Sequence, residues 1–227
     1  EVSGIGHDIT QKKLNEIEHT NSVKEKEILL KEVHHRVKNN MQVISSILSL
    51  QSSYVTDEHI LEVLKESRNR IAAMASIYER LYSTTNLSDI RFSSYVRDLV
   101  ESLVNTYELL DTSVELVFSL DEVFLSLNEA IPCGLILNEL ISNSLKYAFK
   151  GRKHGKIEIT LIGNLEKISL SLAHDGVGIS KEINVEKTDT LGLQLVSTLV
   201  EQMEGTLILE RQNGTKFIIS FDTKNEV

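Results

Sequence analysis

The 227-residue sequence has one cysteine, Cys133, so no disulfide can form within the chain, and the expected setting is cytoplasmic. It has no apolar run approaching the roughly twenty residues of a membrane-spanning helix, so no membrane segment is expected. Its opening, EVSGIGHDIT, is too polar for a signal peptide. It also lacks an excess of basic residues. The net charge of −9 argues against a nucleic-acid partner, because phosphate contact needs a basic footprint, but leaves room for a small basic nucleotide pocket. The first residue is Glu rather than Met, so the chain is expected to be a fragment of something longer. What is present is ordinary for a folded protein: 41% hydrophobic and 25% charged residues, in a length that suits two small domains or one large one.

Residues 11–55 carry a broken three-and-four spacing of apolar residues, among them Leu14, Ile17, Ile28, Val33, Val37, Met41, Ile44 and Leu48, which predicts one long helix. SSYVTDEH breaks it, with Thr56 or Asp57 as the expected cap of a second helix reaching about Tyr82. Ile60, Leu64, Ile71, Met74, Tyr78 and Leu81 line one stripe of that helix. A lone helical hairpin buries its stripe poorly, so a homodimer closing into a four-helix bundle is expected.

The polar stretch STTNLSD (83–89) is the expected domain boundary, and the texture changes after it. A helix is predicted near 93–109, strands at VELVFSL and EVFLSL, and an apolar helix over about 129–148 with Pro132 in its first turn. Strands follow at KIEITLIG and KISLSLAH, then a helix at 191–203 and strands at TLILER and TKFIISF. The fold class is therefore α+β: a helical hairpin followed by an α/β sandwich with mixed connections, without the regular rhythm of a doubly wound sheet. Cys133 reads as a small buried hydrophobe.

Polar chemistry concentrates in four places. EVHHRVKNN (32–40) puts two histidines on the first helix. At about 100° per residue, Val33, Val37, Met41 and Ile44 define the buried stripe; His34 edges it, and His35 lies about 160° away, toward solvent. Lys31, Glu32, Lys38 and Asn39 share the face of His35, so two amines could draw in phosphoryl oxygens and Glu32 could orient the imidazole. In NELISNSLKYAF (138–149), Glu139, Asn143, Lys146 and Tyr147 recur at helical spacing on one face. Asn143 is an oxygen donor suited to Mg²⁺, and Lys146 could neutralise a phosphate; the same pattern also fits the solvated face of a core helix. HDGVGIS follows a strand, and its Gly176 and Gly178 permit a tight turn and close approach of a ligand, or simply a turn. Gly192 opens a helix after the lid-like stretch SKEINVEKTDT, where backbone N–H groups can hold phosphate oxygens. Thr215 begins the last strand, as a site hydroxyl or by plain β propensity.

Taken in order, these segments resemble the ATP-binding domain of the GHKL (Bergerat) family, which joins gyrase-type ATPases, Hsp90-like chaperones and histidine kinases. With EVHHRVKNNMQVISSILSLQS upstream, the chain resembles a sensor histidine kinase of the HHRVKNN, HWE-like subgroup over residues 25–223. GHDITQKK resembles the end of a PAS sensor. The resemblance implies residues 1–24 as the end of that sensor and a signalling helix, 25–88 as the dimerisation and phosphotransfer domain, and 89–227 as the ATP-binding domain. It implies ATP and Mg²⁺ as cofactors, autophosphorylation of the histidine before Arg-Val-Lys-Asn, and transfer to an aspartate on a response-regulator receiver domain.

Residue by residue, the resemblance makes Asn143 the Mg²⁺ ligand, Lys146 a phosphate contact and Tyr147 a cover for adenine. Glu139 holds the position of the ATPase-branch general base. Gly176, Gly178, Gly192 and Leu193 shape the phosphate and lid loops, beside Thr215. One position departs: the family's first loop opens on an Asp that accepts from the adenine amine, and here that slot holds His174, with Asp175 next as the alternative reader. A non-catalytic phosphotransfer or scaffold member with a degenerate nucleotide site, and a GHKL ATPase, are the other readings.

Overall fold

The computed structural model describes residues 32–33, 35–82, 90–106, 112–164, 166–180 and 191–223, together with Ser22. Apart from Ser22, the expected sensor remnant at 1–24 lies outside the described residues, as do His34, the polar break at 83–89 and most of the expected lid (181–190). The chain divides into two compact units that meet between Ala75 and Ser76.

In the first unit, helix α1 covers residues 35–52, with residues 32 and 33 also helical. It stops where the N–H groups of Ser53 and Tyr54 turn back to the carbonyls of Leu50 and Gln51, each at 3.1 Å. Helix α2 runs Glu58–Tyr82. Asp57, rather than Thr56, caps it: its Oδ1 accepts the Ile60 N–H at 3.2 Å and its carbonyl the Leu61 N–H at 2.9 Å. Arg68 reaches across the turn to Ser49 Oγ at 3.4 Å. The stripe expected to be buried is largely uncovered within the single chain, with Val33 50% and Ile44 48% exposed and Ile47 and Leu50 beside them.

The second unit opens with the last turns of α2, where Ile77 is buried near Gly134 and Tyr95. Strand β1 (Ile90–Arg91) and helix α3 (Phe92–Thr106) follow, then β2 (Ser113–Leu120) and β3 (Phe124–Leu125). The second of the two expected strands, EVFLSL, shrinks to the two residues of β3, which pair with β1 in a sheet of their own instead of joining the main one.

Helix α4 (Leu127–Asn143) starts earlier than its apolar pattern suggests, because Ser126 donates both its N–H (2.9 Å) and its hydroxyl (2.7 Å) to Glu129 Oε2 at the helix entrance. Pro132 therefore sits inside the helix and not in its first turn; lacking an N–H, it offers nothing to the Asn128 carbonyl one turn back. Cys133 is fully buried, 3.9 Å from Met203 Sδ, and burial together with the nearby Glu129 pushes its thiol pKa far up.

Strands β4 (His154–Gly163) and β5 (Lys167–His174), helix α5 (Leu191–Gln202), and strands β6 (Thr206–Glu210) and β7 (Thr215–Asp222) complete the unit. The five-stranded sheet has the order β2-β4-β5-β7-β6, with β2 parallel to β4 and the other pairs antiparallel. Alternation along β4 and β7 gives one buried face: Ile157, Ile159, Leu161, Phe217, Ile219 and Phe221 all point into the core. Helix α4 packs between α3 and α5, and its residues Ala130 and Cys133–Ile141 are buried. The mixed α/β layer is as the sequence pattern suggested. Its central strands end together at one edge, where His174 of β5 lies beside Ile157 of β4 and Thr215 of β7.

Candidate active site

The candidate site gathers at that edge. After Asn143 the backbone of α4 widens into a π-helical turn, Ser144–Ala148. Such turns bond i to i+5 and are frequent at functional sites. This changes the expected row of polar residues, since helical phase is kept only as far as Asn143. Glu139 is buried, Asn143 and Lys146 are half-buried, and Tyr147 swings out to 55% exposure, with the Lys150 ammonium 5.3 Å from its ring centre. Four residues expected on one face thus occupy graded depths at the end of the helix.

The loop after β5 docks onto this turn. The Val177 N–H donates to the carbonyl of Ala148 at 2.8 Å, and the Asp175 N–H to that of Lys156 at 3.2 Å. Gly176 is needed because a Cβ there would lie 2.3 Å from the Ala148 carbonyl oxygen. Gly178 faces Gly214, whose carbonyl oxygen would sit 2.9 Å from an added Cβ. These glycines allow the loop to approach the protein's own backbone, within the tight turn that the sequence offered beside ligand approach. Thr215 is buried, and its Oγ1 accepts the Ile179 N–H at 3.2 Å, so it fastens the far end of the loop. Gly192 and Leu193 are buried at the start of α5.

His174 lies under this loop, buried, with its ring centre 6.0 Å from that of Phe149 in an edge-to-face arrangement. Its Nδ1 accepts the Gly176 N–H at 3.3 Å. Burial lowers its pKa, the Arg152 cation lowers it further, and the Asp175 carboxylate opposes them. The acceptor that the sequence reading offered to a nucleotide base is thus already engaged inside the protein.

Asp175 turns the other way. Its Oδ1 accepts the Lys156 N–H at 2.8 Å, its Oδ2 lies 3.2 Å from the Arg152 guanidinium, and Arg152 also donates to its carbonyl oxygen. The carboxylate closes the loop onto the start of β4. Arg152, Lys156, Phe149 and Gly214 were missed by sequence reasoning; the basic run KGRKHGK held the only signal for the first two.

On α1, His35 and Asn39 are exposed and Lys38 is half-buried. The Arg36 Nε–H donates to Glu32 Oε1 at 2.9 Å along the same helix. Among the described residues no group of three or more His, Cys, Asp or Glu could hold a metal ion unaided. A Mg²⁺ ion at Asn143 would bring most of its oxygen ligands as phosphates and waters, the usual manner for this ion.

A family described as histidine kinase matches residues 32–107, and one described as histidine kinase-, DNA gyrase B-, and HSP90-like ATPase matches residues 128–225. The sensor histidine kinase PdtaS of Mycobacterium tuberculosis is 26% identical over 198 residues, covering 86% of this chain and 39% of that protein. Blue-light-activated histidine kinase 2 of Erythrobacter litoralis is 25% identical over 198 residues, covering 85% of this chain and 56% of that protein. The chain spans 36–56% of the length of the curated relatives it matches. Among solved structures, the Erythrobacter litoralis EL346 blue-light activated histidine kinase shares the fold with a TM-score of 0.64 at 20% identity, over 87% of this chain and 59% of that one. The isolated histidine kinase domain of EL346 gives 0.60 at 18%, over 79% and 95%. With one domain match on each side of residues 108–127, the chain belongs to the sensor histidine kinases of the HHRVKNN, HWE-like subgroup, with a GHKL-type ATP-binding domain.

Proposed function

We propose that this chain is the catalytic core of a sensor histidine kinase that phosphorylates its own His35 and passes the group to an aspartate on a response-regulator receiver domain. The observation that carries the reading is His35: it is exposed on α1, within the segment matched to histidine kinases. A neutral imidazole offers a nitrogen lone pair. That nitrogen attacks the γ-phosphorus of the nucleotide, the bond to the bridging oxygen breaks, a P–N bond forms, the nucleoside diphosphate departs and the ring proton leaves to solvent. Such transfer depends on positioning and charge neutralisation. Lys146, on the π turn, would meet the phosphates, and Asn143, just before it, would ligate Mg²⁺. Lys38 and Asn39 flank the acceptor on the other unit.

The exposed stripe on α1 supports a homodimer through residues 25–88, and the ATP-binding domain would occupy 89–227, downstream of a PAS sensor in a cytoplasmic protein. Among the described residues no helix is long and apolar enough to cross a membrane. One observation favours a second reading, a phosphotransfer or scaffold protein that no longer uses nucleotide: neither His174 nor Asp175 presents a free carboxylate to a base. Incubation with γ-labelled ATP and GTP decides between them. An acid-labile label that disappears in His35→Ala is the expected result. No label in the parent chain, or an undiminished label in His35→Ala, would overturn the proposal.

A further inference from the structure

His174 carries information that the nucleotide-site reading does not use. Its side chain points to the buried face of the sheet edge, flanked by Ile157 and Thr215, with Phe149 against the ring. The Gly176 N–H points at Nδ1, 3.3 Å away. A nitrogen that accepts an N–H is the unprotonated one of a neutral imidazole, so the hydrogen of this ring is on Nε2. Burial favours the neutral ring, as does the Arg152 cation; Asp175, with its carboxylate held on Lys156 and Arg152, opposes them only in part. Nε2 has no partner among the described residues, yet it is not among the side-chain atoms closed off from solvent. The ring therefore offers a hydrogen-bond donor that solvent can reach, beside Ile157, Thr215 and Phe149.

In the nucleotide-site reading, on which this inference rests, position 174 is where the base is recognised. A carboxylate there can only accept, and so selects a base edge that donates, such as an exocyclic amine. The His174 Nε2–H can only donate. Against a 6-amino purine two donors would face each other, leaving both unpaired; against a 6-oxo purine, the donor meets the O6 acceptor. Asp175 is directed elsewhere, with its oxygens on the Lys156 N–H and the Arg152 guanidinium. The geometry points to His174 as a specificity-determining residue that inverts the polarity of the base slot, so that this chain favours 6-oxo purine nucleoside triphosphates over 6-amino ones.

The test uses ATP and ITP, which differ only at positions 1 and 6 of the base, titrated with Mg²⁺ into the full chain by calorimetry. A mispaired buried donor is costly, and the expected result is ITP bound about tenfold more tightly than ATP. His174→Asp should reverse the order, and Asn143→Ala should weaken both nucleotides alike. ATP bound as tightly as ITP, or more tightly, in the parent chain overturns the inference while leaving the nucleotide site in place. Failure of both nucleotides to bind overturns the inference and the nucleotide-site reading together. The ratio measured in the parent is decisive by itself, so the inference stays testable if His174→Asp folds poorly.

Discussion

Arg152 and Asp175 are twenty-three residues apart in sequence, yet the guanidinium lies 3.2 Å from Asp175 Oδ2 and also donates to the Asp175 carbonyl oxygen. The pair ties the loop after β5 to the loop before β4. Both side chains are partly exposed, so the ion pair alone contributes little, and the Lys156 N–H bond to Oδ1 carries more of the anchoring. Asp175→Ala should cost about 1 kcal/mol of stability, and Asp175→Asn less, because the amide oxygen still accepts from Lys156. Both variants should change ATP and ITP affinity by the same factor. A selective loss for one base in calorimetric titration would return Asp175 to base recognition.

Gly214 has φ +116°, and a Cβ there would lie 1.9 Å from the carbonyl oxygen of His174. Gly176→Ala meets the Ala148 carbonyl with no such backbone strain to add. Overpacking of this kind costs about 1–3 kcal/mol. Gly176→Ala should lower Tm by about 3–9 °C, at roughly 3 °C per kcal/mol for a chain of this size, and Gly214→Ala by more. Calorimetric melting would check both, and an unchanged Gly214→Ala melt would mean that the loop does not dock as described.

His174 makes stability fall with acid. Burial sets its folded pKa below the unfolded value of about 6.5. As pH falls through about 6.5 the unfolded chain takes up a proton that the folded chain refuses, so unfolding is favoured progressively until the folded pKa is reached. Above about pH 7.5 both states are neutral and there is no contribution. The charged neighbours are Arg152, which deepens the effect, and Asp175, which opposes it. The Tm difference between the parent and His174→Asn should shift against the parent between pH 7.5 and 5.5. A difference independent of pH would show that the ring is not buried neutral.

Ile44, Ile47 and Leu50 are exposed along α1. If they form the centre of a homodimer, Ile47→Asp should place unpaired charge in the interface and dissociate it. Light scattering at micromolar concentration should give twice the chain mass for the parent and one chain mass for the variant. A parent that is monomeric at that concentration would rule out the helical-bundle dimer.

The sequence alone determined the elements and their order. Period-two alternation marked KISLSLAH as β5 to the residue, and three-and-four spacing marked α2 and the described part of the first helix, because one buried face imposes those repeats on any chain. It also placed His35 away from the apolar stripe, since helical phase is local arithmetic. What it did not contain were facts created by residues distant in sequence. Short β3 pairs with β1 because of where the chain returns, not because of its own pattern. The π turn breaks the phase after Asn143 where the loop after β5 docks on Ala148. The sequence does not show that Arg152 and Lys156 meet Asp175, the alternative reader of the base, nor that the Gly176 N–H meets His174 Nδ1. Residue type sets what a side chain can bond to; which bonds are already taken is decided by tertiary neighbours, and that settles what remains for a ligand.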